Sequence, residues 1–587
     1  MNNEESIKKL KPSEEKIWQK EYSEEGKNFS FPKMNIYDLV YEENRNRKDY
    51  IALEYEGNQI RYGDFFDKVE ERTDFFQSKN VADNEVVTIS SLLTPDFVYD
   101  FYALGRLNAI SNLIDPRTSV EGIKKYIDEA NSRLFISNDL FLGKLKEAID
   151  KEDFEVVVNS LFSGAKNLEY PLNAVSILTG IKSKLMQIKD SRYTTYSNEN
   201  ISNYKLNSKN GDLTIAHTGG STGMPKGVVL THDNYNATAM QYLKSNIGFC
   251  PRDKFMIIMP PWISYGSGLV HTSLVGGMTA QLLPKPDSKK MDDAIIKHKP
   301  TWFAGVTAHY VNILERDKAK KDSFASVKSG AIGGGTAPAQ LFDDIEDYFK
   351  KHGCTQGIIP GYGLTECSST LAARQTEKFK PGSSGQPLPG AVMGIFKYDE
   401  TTGKTTEEEL GYNEIGELCL QTPTMMKGYF KNPEATNKVL VKHSDGSTWI
   451  HTGDLAYIDE DGFLYISSRI KELIIRNDGF KVYPNQIERI VADVKGVETV
   501  KVVGVRDKVN SIGEVPKVYF TVMSGFEDKV DDIYASIKNE CETKLAEYYV
   551  EGISYKCLEK MPLTPIGKID FQELKKYDED EAKVLRR

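Results

Sequence analysis

The sequence has little of what would mark a secreted, membrane-spanning or zinc-binding protein. Its six cysteines show no paired spacing, which argues against a disulfide scaffold and favours reduced thiols. Its eight histidines show no zinc-ligand spacing, so we expect no transition metal. No apolar run reaches membrane-spanning length, and the first residues lack the apolar core of a secretory signal. We therefore expect a cytoplasmic protein without an integral membrane segment.

An excess of positive charge is also missing. The chain has 75 Lys and Arg against 85 Asp and Glu, a net charge of −10, which leaves no basic footprint for nucleic acid. With 40% hydrophobic and 27% charged residues, the composition is that of an ordinary folded protein. A length of 587 residues exceeds what one hydrophobic core usually supports, so we expect two or more domains.

The order of strand-like and helical segments predicts an α/β fold. Runs such as Val86–Ile89 and Leu213–Ala216 alternate with amphipathic helical stretches, as in layers built on parallel strands. We predict a charged, solvated N-terminal arm (1–34), a large multi-subdomain α/β body (35–470) and a small α+β domain (471–587). The polar segment 398–412 is interpreted as a surface connection between strands.

The most informative segment is HTGGSTGMPKG, residues 217–227, between a strand-like run and an apolar one. Glycines let the backbone turn sharply towards an anion, hydroxyls add donors, and one lysine supplies charge. The loop is not a Walker A motif, because its lysine is followed by glycine. We predict a phosphate cradle formed by Thr218, Gly219, Gly220, Ser221, Thr222, Gly223 and Lys226.

Further along the chain, five side chains suit a nucleotide and its metal ion. Tyr362 offers a flat apolar surface for adenine, and Thr365 and Glu366 supply oxygen ligands, with Glu366 suited to Mg²⁺. Asp454 can accept from two ribose hydroxyls, and Arg469 can donate a fork of hydrogen bonds to the sugar or the phosphate. Taken alone, Asp454 would more often be a turn residue and Arg469 a surface charge.

Taken in order, these segments resemble the superfamily of acyl-CoA synthetases, stand-alone adenylation domains and luciferases. The matching stretches are residues 217–227, Leu104–Pro116, Gly333–Pro338, Tyr362–Glu366, Trp449–Leu455, Arg469, Gly479–Val482 and Pro562–Lys568. The similarity covers nearly everything after residue 35. It implies ATP-dependent activation of a carboxylic acid to its acyl-AMP, with release of pyrophosphate, and transfer of the acyl group to the thiol of CoA.

The resemblance also implies roles for residues that would otherwise look ordinary. Lys568 is the expected mobile catalytic lysine, acting with Lys226 and Glu366, and Lys471 is the expected hinge of a rotating C-terminal domain. The resemblance places Gly334, Gly335 and Thr336 in a turn beside the adenine, with Gly363 also in the nucleotide site. It places Gly479 and Lys481 at the channel for the pantetheine arm of CoA, and it makes Thr222 a second Mg²⁺ ligand.

The acid pocket departs from the family pattern. Relatives often carry Pro-Leu-Phe-His before a glycine, whereas this chain has Ile263 where the histidine would fall, so Trp262 and Tyr265 could take its gating role. No aspartate is visible in this region to pair with a substrate ammonium, which favours an uncharged acyl or aryl acid. The pocket residues we predict are Trp262, Ile263, Tyr265, Gly266, Gly333 and Gly361.

Two alternatives stay open from the sequence. A stand-alone adenylation enzyme would load the phosphopantetheine of a carrier protein, but no basic docking patch is evident. A CoA ligase needs a site for the adenosine phosphate of CoA, for which Lys427, Lys431 and Lys481 are the candidates. A catalytically silent nucleotide-binding regulator is disfavoured, because Lys568 and the nucleotide-binding side chains are all present. The identity of the acid and the oligomeric state are left open.

Overall fold

The computed structural model describes residues 10–148, 154–161, 163–166, 193–195, 210–218, 225–284, 287–333, 339–375, 378–399, 401–477, 481–507, 513–563 and 569–584. The α-helices are Pro12–Glu15, Glu24–Lys27, Ile36–Asn44, Tyr62–Ser78, Pro95–Arg106, Val120–Ala130, Leu142–Ala148, His232–Leu243, Ser264–Val275, Met291–His298, Thr307–Arg316, Ala339–Lys351, Pro433–Val439, Pro484–Ala492, Val530–Lys544, Glu547–Val550 and Phe571–Val584. Short 3₁₀ turns are Ile17–Glu21, Asp139–Phe141, Ser288–Lys290, Thr365–Cys367, Ile470–Glu472 and Glu527–Lys529.

Two large sheets with mainly parallel interiors form the body of the protein. Among the described residues, the first has the strand order Gln386–Pro387, Thr370–Ala373, Ile358–Gly363, Ser329–Gly333, Trp302–Val306, Lys254–Ile257, Thr279–Leu282, Ile51–Tyr55 and Asn58–Arg61. The second has the order Gly428–Tyr429, Gly227–Thr231, Asp212–His217, Ile110–Leu113, Val86–Ser90, Leu134–Asn138, Glu155–Asn159 and Tyr193–Thr195. The predicted α/β class is confirmed.

Two helices of the body are buried on almost every side because both of their faces are covered. Pro95–Arg106 and Ser264–Val275 are buried along nearly their whole length in one continuous core. The first of them begins at a regular cap, with the Phe97 N–H donating to Thr94 Oγ at 3.2 Å and proline at the first helical position. Two carboxylates that it carries, Asp96 and Asp100, are paired inside the protein with the buried Arg72.

A third, antiparallel sheet carries much of the candidate site. Its described strands are ordered Lys404–Glu409, Val392–Asp399, Gly416–Gln421, Thr448–Ile458 and Leu440–Lys442, with Leu464–Arg469 also paired to Thr448–Ile458. Residues 398–412 are therefore more than a surface connection, because Lys404–Glu409 pairs with Val392–Asp399 as an edge strand. All six side chains of this edge strand are polar, so it lacks the apolar alternation that would have predicted a strand.

The chain ends in a smaller α+β region. Ile474–Ile475 pairs with Lys481–Val482, and Val497–Arg506, Glu514–Val522 and Ser554–Cys557 form a separate sheet. Its core is formed by Ile487 and Val491 of one helix and Ile533 and Ile537 of another, packed on Val502. The domain boundaries at residues 34 and 470 stay predictions.

The prediction of a solvated N-terminal arm is wrong for the part that is described. Trp18 is fully buried, and Tyr22 donates from its hydroxyl to Pro387 O at 2.6 Å. Both side chains belong to the apolar cluster under the third sheet, together with Cys367 and Leu371. The high Lys and Glu content of the segment concealed two aromatic anchors whose burial outweighs the surrounding charge.

Candidate active site

Asp454 lies at the centre of the candidate nucleotide site. Only 2% of its surface is exposed, and both of its carboxylate oxygens accept a hydrogen bond. The Tyr362 hydroxyl donates to Oδ2 at 2.6 Å, and Arg469 Nε donates to Oδ1 at 2.8 Å. Three predicted nucleotide-binding residues from different strands are therefore brought into one contact.

A β-bulge presents this carboxylate. Across the antiparallel pair, Glu417 faces Leu455 and Cys419 faces His451. An advance of two residues along the first strand therefore corresponds to an advance of four residues along the second. The additional residues include Gly453, whose φ of +71° favours glycine, and Asp454 itself. Bulges commonly re-aim a side chain next to an active site, and here the bulge turns Asp454 towards Tyr362 and Arg469.

The electrostatics of this cluster show opposing effects. Burial raises the pKa of Asp454 above its ordinary value, while Arg469 and the Tyr362 hydroxyl act to lower it. Asp454 in turn raises the pKa of Arg469, and burial raises that of Tyr362. Because the guanidinium stays charged and bonds the carboxylate directly, the pair is an ion pair at neutral pH.

Glu366 and Lys226 are joined by a residue that the sequence analysis missed. Glu366 is half-buried in the turn Thr365–Cys367, and its Oε1 accepts from the Tyr429 hydroxyl at 2.7 Å. The ammonium of Lys226 lies 4.7 Å from the centre of the Tyr429 ring. No local signal in the sequence around Tyr429 indicates this position, because its partners are distant in the chain.

The glycine-rich loop connects two antiparallel strands and is closed at its base. The Thr218 N–H donates to Lys226 O at 3.0 Å, and the Lys226 N–H donates to Thr218 Oγ at 3.2 Å. A Cβ on Gly227 would lie 2.7 Å from Ile215 Cγ2, so glycine is required there by close packing. The predicted cradle residues Gly219, Gly220, Ser221, Thr222 and Gly223 lie outside the described residues.

A cleft of about 600 Å³ opens beside Lys226. One wall is the helix Val120–Ala130, including Lys124 and Asp128, and the other contains Tyr429 and Phe430. The exposed ammonium of Lys226 therefore has free volume next to it.

The predicted hinge lies directly after the strand that ends at Arg469. Lys471 is exposed in the turn Ile470–Glu472, and its pKa is lowered first by partial loss of hydration, then by the neighbouring Arg469 and in part by Lys226. After Asp454, the charge of Glu366 also raises the pKa of Arg469, so the predicted hinge and the candidate site interact electrostatically.

The candidate lysines for CoA differ in their surroundings. Lys427 pairs with Asp212 at 2.9 Å, and Lys431 Nζ donates to Glu129 O at 2.6 Å, so both are already engaged. Lys481 is half-buried at the start of a short strand.

The predicted acid-pocket residues gather at the start of one helix and the ends of two strands. Trp262 and Ile263 immediately precede the helix Ser264–Val275, and the Arg117 guanidinium lies 5.8 Å from the Trp262 ring. Burial raises the pKa of the Tyr265 hydroxyl well above its ordinary value.

Glycines shape this pocket through close approach. A Cβ on Gly266 would lie 2.2 Å from Pro260 O, whereas one on Gly333 would meet Gly361 O at 3.9 Å, an ordinary contact. Gly361 is in turn paired with Ala373. Gly363 ends the same strand and Thr365 follows it, so both lie next to Tyr362.

Several predicted functional residues cannot be located in this structure. Gly334, Gly335, Thr336, Gly479 and Lys568 lie outside the described residues. Across the described part of the chain, no helix is both long and apolar enough to cross a membrane.

Comparison with known proteins matches most of the chain. The family described as AMP-binding enzyme matches residues 40–430, and the AMP-binding enzyme C-terminal domain matches residues 486–568. A long-chain-fatty-acid–CoA ligase of Bacillus subtilis (strain 168) is 27% identical over 574 residues, covering 94% of this chain and 97% of the relative. A 2-succinylbenzoate–CoA ligase of Bacillus cytotoxicus is 33% identical over 373 residues, covering 63% of this chain and 70% of the relative.

Solved structures share the fold. The o-succinylbenzoate coenzyme A synthetase of Bacillus subtilis, in complex with ATP and a magnesium ion, superposes with a TM-score of 0.70 at 23% identity, covering 92% of this chain and 99% of that one. The chain therefore belongs to the AMP-binding enzyme family, and the predicted class, an AMP-forming acid–CoA ligase, is confirmed.

Proposed function

We propose that this protein uses ATP to convert a carboxylic acid with an uncharged acyl or aryl body into its acyl-AMP, and then transfers the acyl group to CoA. In the first step a carboxylate oxygen attacks the α-phosphorus and pyrophosphate leaves. In the second the CoA thiolate attacks the acyl carbon and AMP leaves. The observation that carries the proposal is the buried Asp454, held between Tyr362 and Arg469 at a β-bulge.

The nucleotide is proposed to be held chiefly by this cluster. Asp454 accepts from the two ribose hydroxyls, and Arg469, half-exposed beside it, donates to the sugar or the α-phosphate. Tyr362 supports the adenine, with Gly363 and Thr365 next to it. The direct contact with the Arg469 guanidinium supports a charged acceptor, and hydrogen bonds to an ionised group are about twice as strong as neutral ones.

Mg²⁺ is assigned to Glu366. One of its carboxylate oxygens accepts from Tyr429, and a half-buried carboxylate is the hard oxygen ligand that Mg²⁺ prefers. Thr222 is the proposed second ligand. When bound, the metal neutralises phosphate charge as pyrophosphate leaves. Lys226 is proposed to hold the same leaving group, which the adjoining cleft supports.

Catalysis is proposed to depend on Lys568, bridging the carboxylate and the α-phosphate. The C-terminal region then rotates about Lys471, withdrawing Lys568 and bringing Gly479 and Lys481 to the pantetheine channel. Rotation about a few backbone angles after a strand end is typical of hinge movements. The position of Lys471 in a short 3₁₀ turn directly after the third sheet supports this hinge.

The substrate class rests on the pocket and on the relatives. Trp262, Ile263 and Tyr265 offer apolar surface, and Gly266, Gly333 and Gly361 add no side chains to the space. Of the two named relatives, one acts on a long-chain fatty acid, whose body is uncharged, and the other on 2-succinylbenzoate, which keeps a second carboxylate, so the uncharged body is supported by the pocket and by the first relative only. A cytosolic location, where CoA is available, is supported by six cysteines that are all free.

Carboxylate-dependent ATP–pyrophosphate exchange tests the first step. A panel of fatty and aryl acids is assayed with the wild type, with Lys568→Ala, and with Lys560→Ala as a control for an exposed lysine in the same region. We expect exchange with one class of acid, lost in Lys568→Ala and retained in Lys560→Ala. Exchange with none of the acids would contradict the proposal.

Addition of CoA tests the second step. Mass spectrometry should then detect AMP and the acyl-CoA in equal amounts. Exchange without CoA turnover would favour a carrier protein as the acceptor, and ATP binding without exchange would favour a silent nucleotide-binding regulator.

A further inference from the structure

The bulge that presents Asp454 is held in place by a carboxylate from the neighbouring strand. The Gly453 N–H donates to Glu417 Oε1 at 2.8 Å, and only 4% of the Glu417 surface is exposed. On the other side, the Asp454 N–H donates to Thr452 Oγ at 3.0 Å, whose hydroxyl donates to Leu418 O at 2.7 Å. Both of these amide contacts therefore lead to the strand Gly416–Gln421.

Glu417 is itself the end of a chain of buried side chains. Its Oε2 lies 2.9 Å from His451 Nδ1, and His451 Nε2 lies 3.2 Å from His443 Nε2. His443 stacks on Trp449, with ring centres 5.9 Å apart, and meets the edge of Phe396 at 5.1 Å. The chain is enclosed by aromatic rings at its far end.

The chemistry of these groups assigns the protons along the chain when both histidine rings are neutral. Ionised Glu417 only accepts, so His451 carries a proton on Nδ1, and in its neutral form Nε2 accepts. His443 then carries its proton on Nε2 and donates to His451. Burial and the neighbouring ring lower the pKa of His443, which keeps that imidazole neutral. Each hydrogen bond in the series then has one donor and one acceptor.

We propose that Glu417 is a positioning residue for the nucleotide: it locks the Gly453 bulge so that Asp454 faces the ribose, and the pair His451 and His443 locks Glu417. This inference rests on the proposed function, because it assigns Asp454 to the ribose. The φ of +71° at Gly453 is a conformation that glycine adopts readily, and the hydrogen bond to Glu417 holds the Gly453 amide in place.

A bound cation is the competing explanation for the same cluster. Within the described residues, ligand atoms of Glu417, Cys419 and His451 lie within 4.8 Å of one another, and cysteine and histidine are the usual zinc ligands. Hydrogen bonds already account for both nitrogens of His451 and both oxygens of Glu417, and they leave Cys419 as a buried thiol. We therefore favour protons over a metal, and the experiment separates the two.

The test measures ATP binding calorimetrically in wild type, Glu417→Ala and Glu417→Gln, with thermal denaturation to check folding. Glu417→Ala leaves the Gly453 amide without an acceptor, and we expect ATP to bind about 10- to 100-fold more weakly. Glu417→Gln keeps an amide oxygen for Gly453, and we expect affinity within about fivefold of wild type. Glu408→Ala, which removes an exposed glutamate of the same sheet, is the matched control and should leave binding unchanged.

A second readout reports the protons directly. In Glu417→Gln the amide oxygen must face Gly453, so its NH₂ donates to His451 Nδ1 and the proton of His451 moves to Nε2. NMR of ¹⁵N-histidine-labelled protein should show Nδ1–H for His451 in the wild type and Nε2–H in Glu417→Gln. If Glu417 had only a structural role, we would not expect Glu417→Gln to move the His451 proton while keeping its affinity for ATP.

Three outcomes would overturn the inference. A folded Glu417→Ala variant that binds ATP as wild type does would contradict it while leaving the proposed function intact. One equivalent of zinc in the purified protein, lost in Cys419→Ser but kept in the exposed control Cys250→Ser, would replace it with a metal site. A wild type that binds no ATP would contradict the proposed function, and with it the nucleotide role of Glu417.

Discussion

Asp454→Asn isolates the charge of the candidate ribose ligand from its shape. Arg469 Nε can only donate, so the oxygen of the new amide faces Arg469, and its NH₂ donates to the Tyr362 hydroxyl, which can accept. Both contacts therefore survive as neutral or singly charged hydrogen bonds. Because the Arg469 side chain is 46% exposed and can be rehydrated, we expect the free energy of unfolding to fall by only about 1–2 kcal/mol.

The effect on the nucleotide should be larger than the effect on stability. A hydrogen bond to a charged group contributes about 1.5–3 kcal/mol and a neutral one about 0.5–1.5 kcal/mol, so each ribose hydroxyl loses about 1 kcal/mol. For two hydroxyls the loss is about 2 kcal/mol, which corresponds to roughly 30-fold weaker binding of ATP.

Isothermal titration of ATP in the presence of Mg²⁺ measures this difference, and urea denaturation measures stability. The control is Asp461→Asn, which removes the same charge from an exposed carboxylate that pairs with Lys380 at 2.6 Å. We expect this control to bind ATP as the wild type does. The assignment of Asp454 to the ribose would be refuted by a folded Asp454→Asn variant with wild-type affinity.

Three further predictions concern stability. Gly266→Ala should be strongly destabilising, because its Cβ would lie 2.2 Å from Pro260 O. In the same helix, a Cβ on Gly268 would meet nothing within 4 Å, so Gly268→Ala should stabilise the protein by up to about 1 kcal/mol. Thermal denaturation of the two variants measures both effects. Trp18→Ala should cost about 3–5 kcal/mol in urea denaturation, and a loss under 1 kcal/mol would contradict its burial in the core. Burial raises the pKa of Asp100 to about 7, so the folded state binds this proton more tightly than the unfolded state does. The resulting contribution to the free energy of unfolding is fully present below about pH 4 and is lost as the pH rises through 7. Asp100→Asn should therefore make the free energy of unfolding depend less on pH over that range.

Local patterns in the sequence identified the chemistry because the relevant groups were close together in the chain. The loop 217–227 places glycines, hydroxyls and a lysine within one turn, and its closure at Thr218 and Lys226 follows from the antiparallel strands around it. The segment Tyr362–Glu366 likewise presents adjacent side chains. The predicted fold class also followed from local periodicity, since alternation of apolar strands and amphipathic helices is a short-range signal.

Residues whose role depends on distant partners could not be found in this way. Tyr429 bonds Glu366, and Trp18 packs beneath the third sheet, yet neither has neighbours in the sequence that indicate chemistry or burial. The strand Lys404–Glu409 was interpreted as a connection because an edge strand with polar residues lacks an apolar alternation.

The sequence by itself determined the α/β class, and it led to the prediction of which side chains bind phosphate, metal and ribose. Only the tertiary structure decided that Asp454 meets Tyr362 and Arg469, and that Glu417 supports the bulge between them. The physical reason is that strand register and a bulge are set by pairing between segments far apart in the chain, and a shift of one residue would turn each side chain to the opposite face of the sheet.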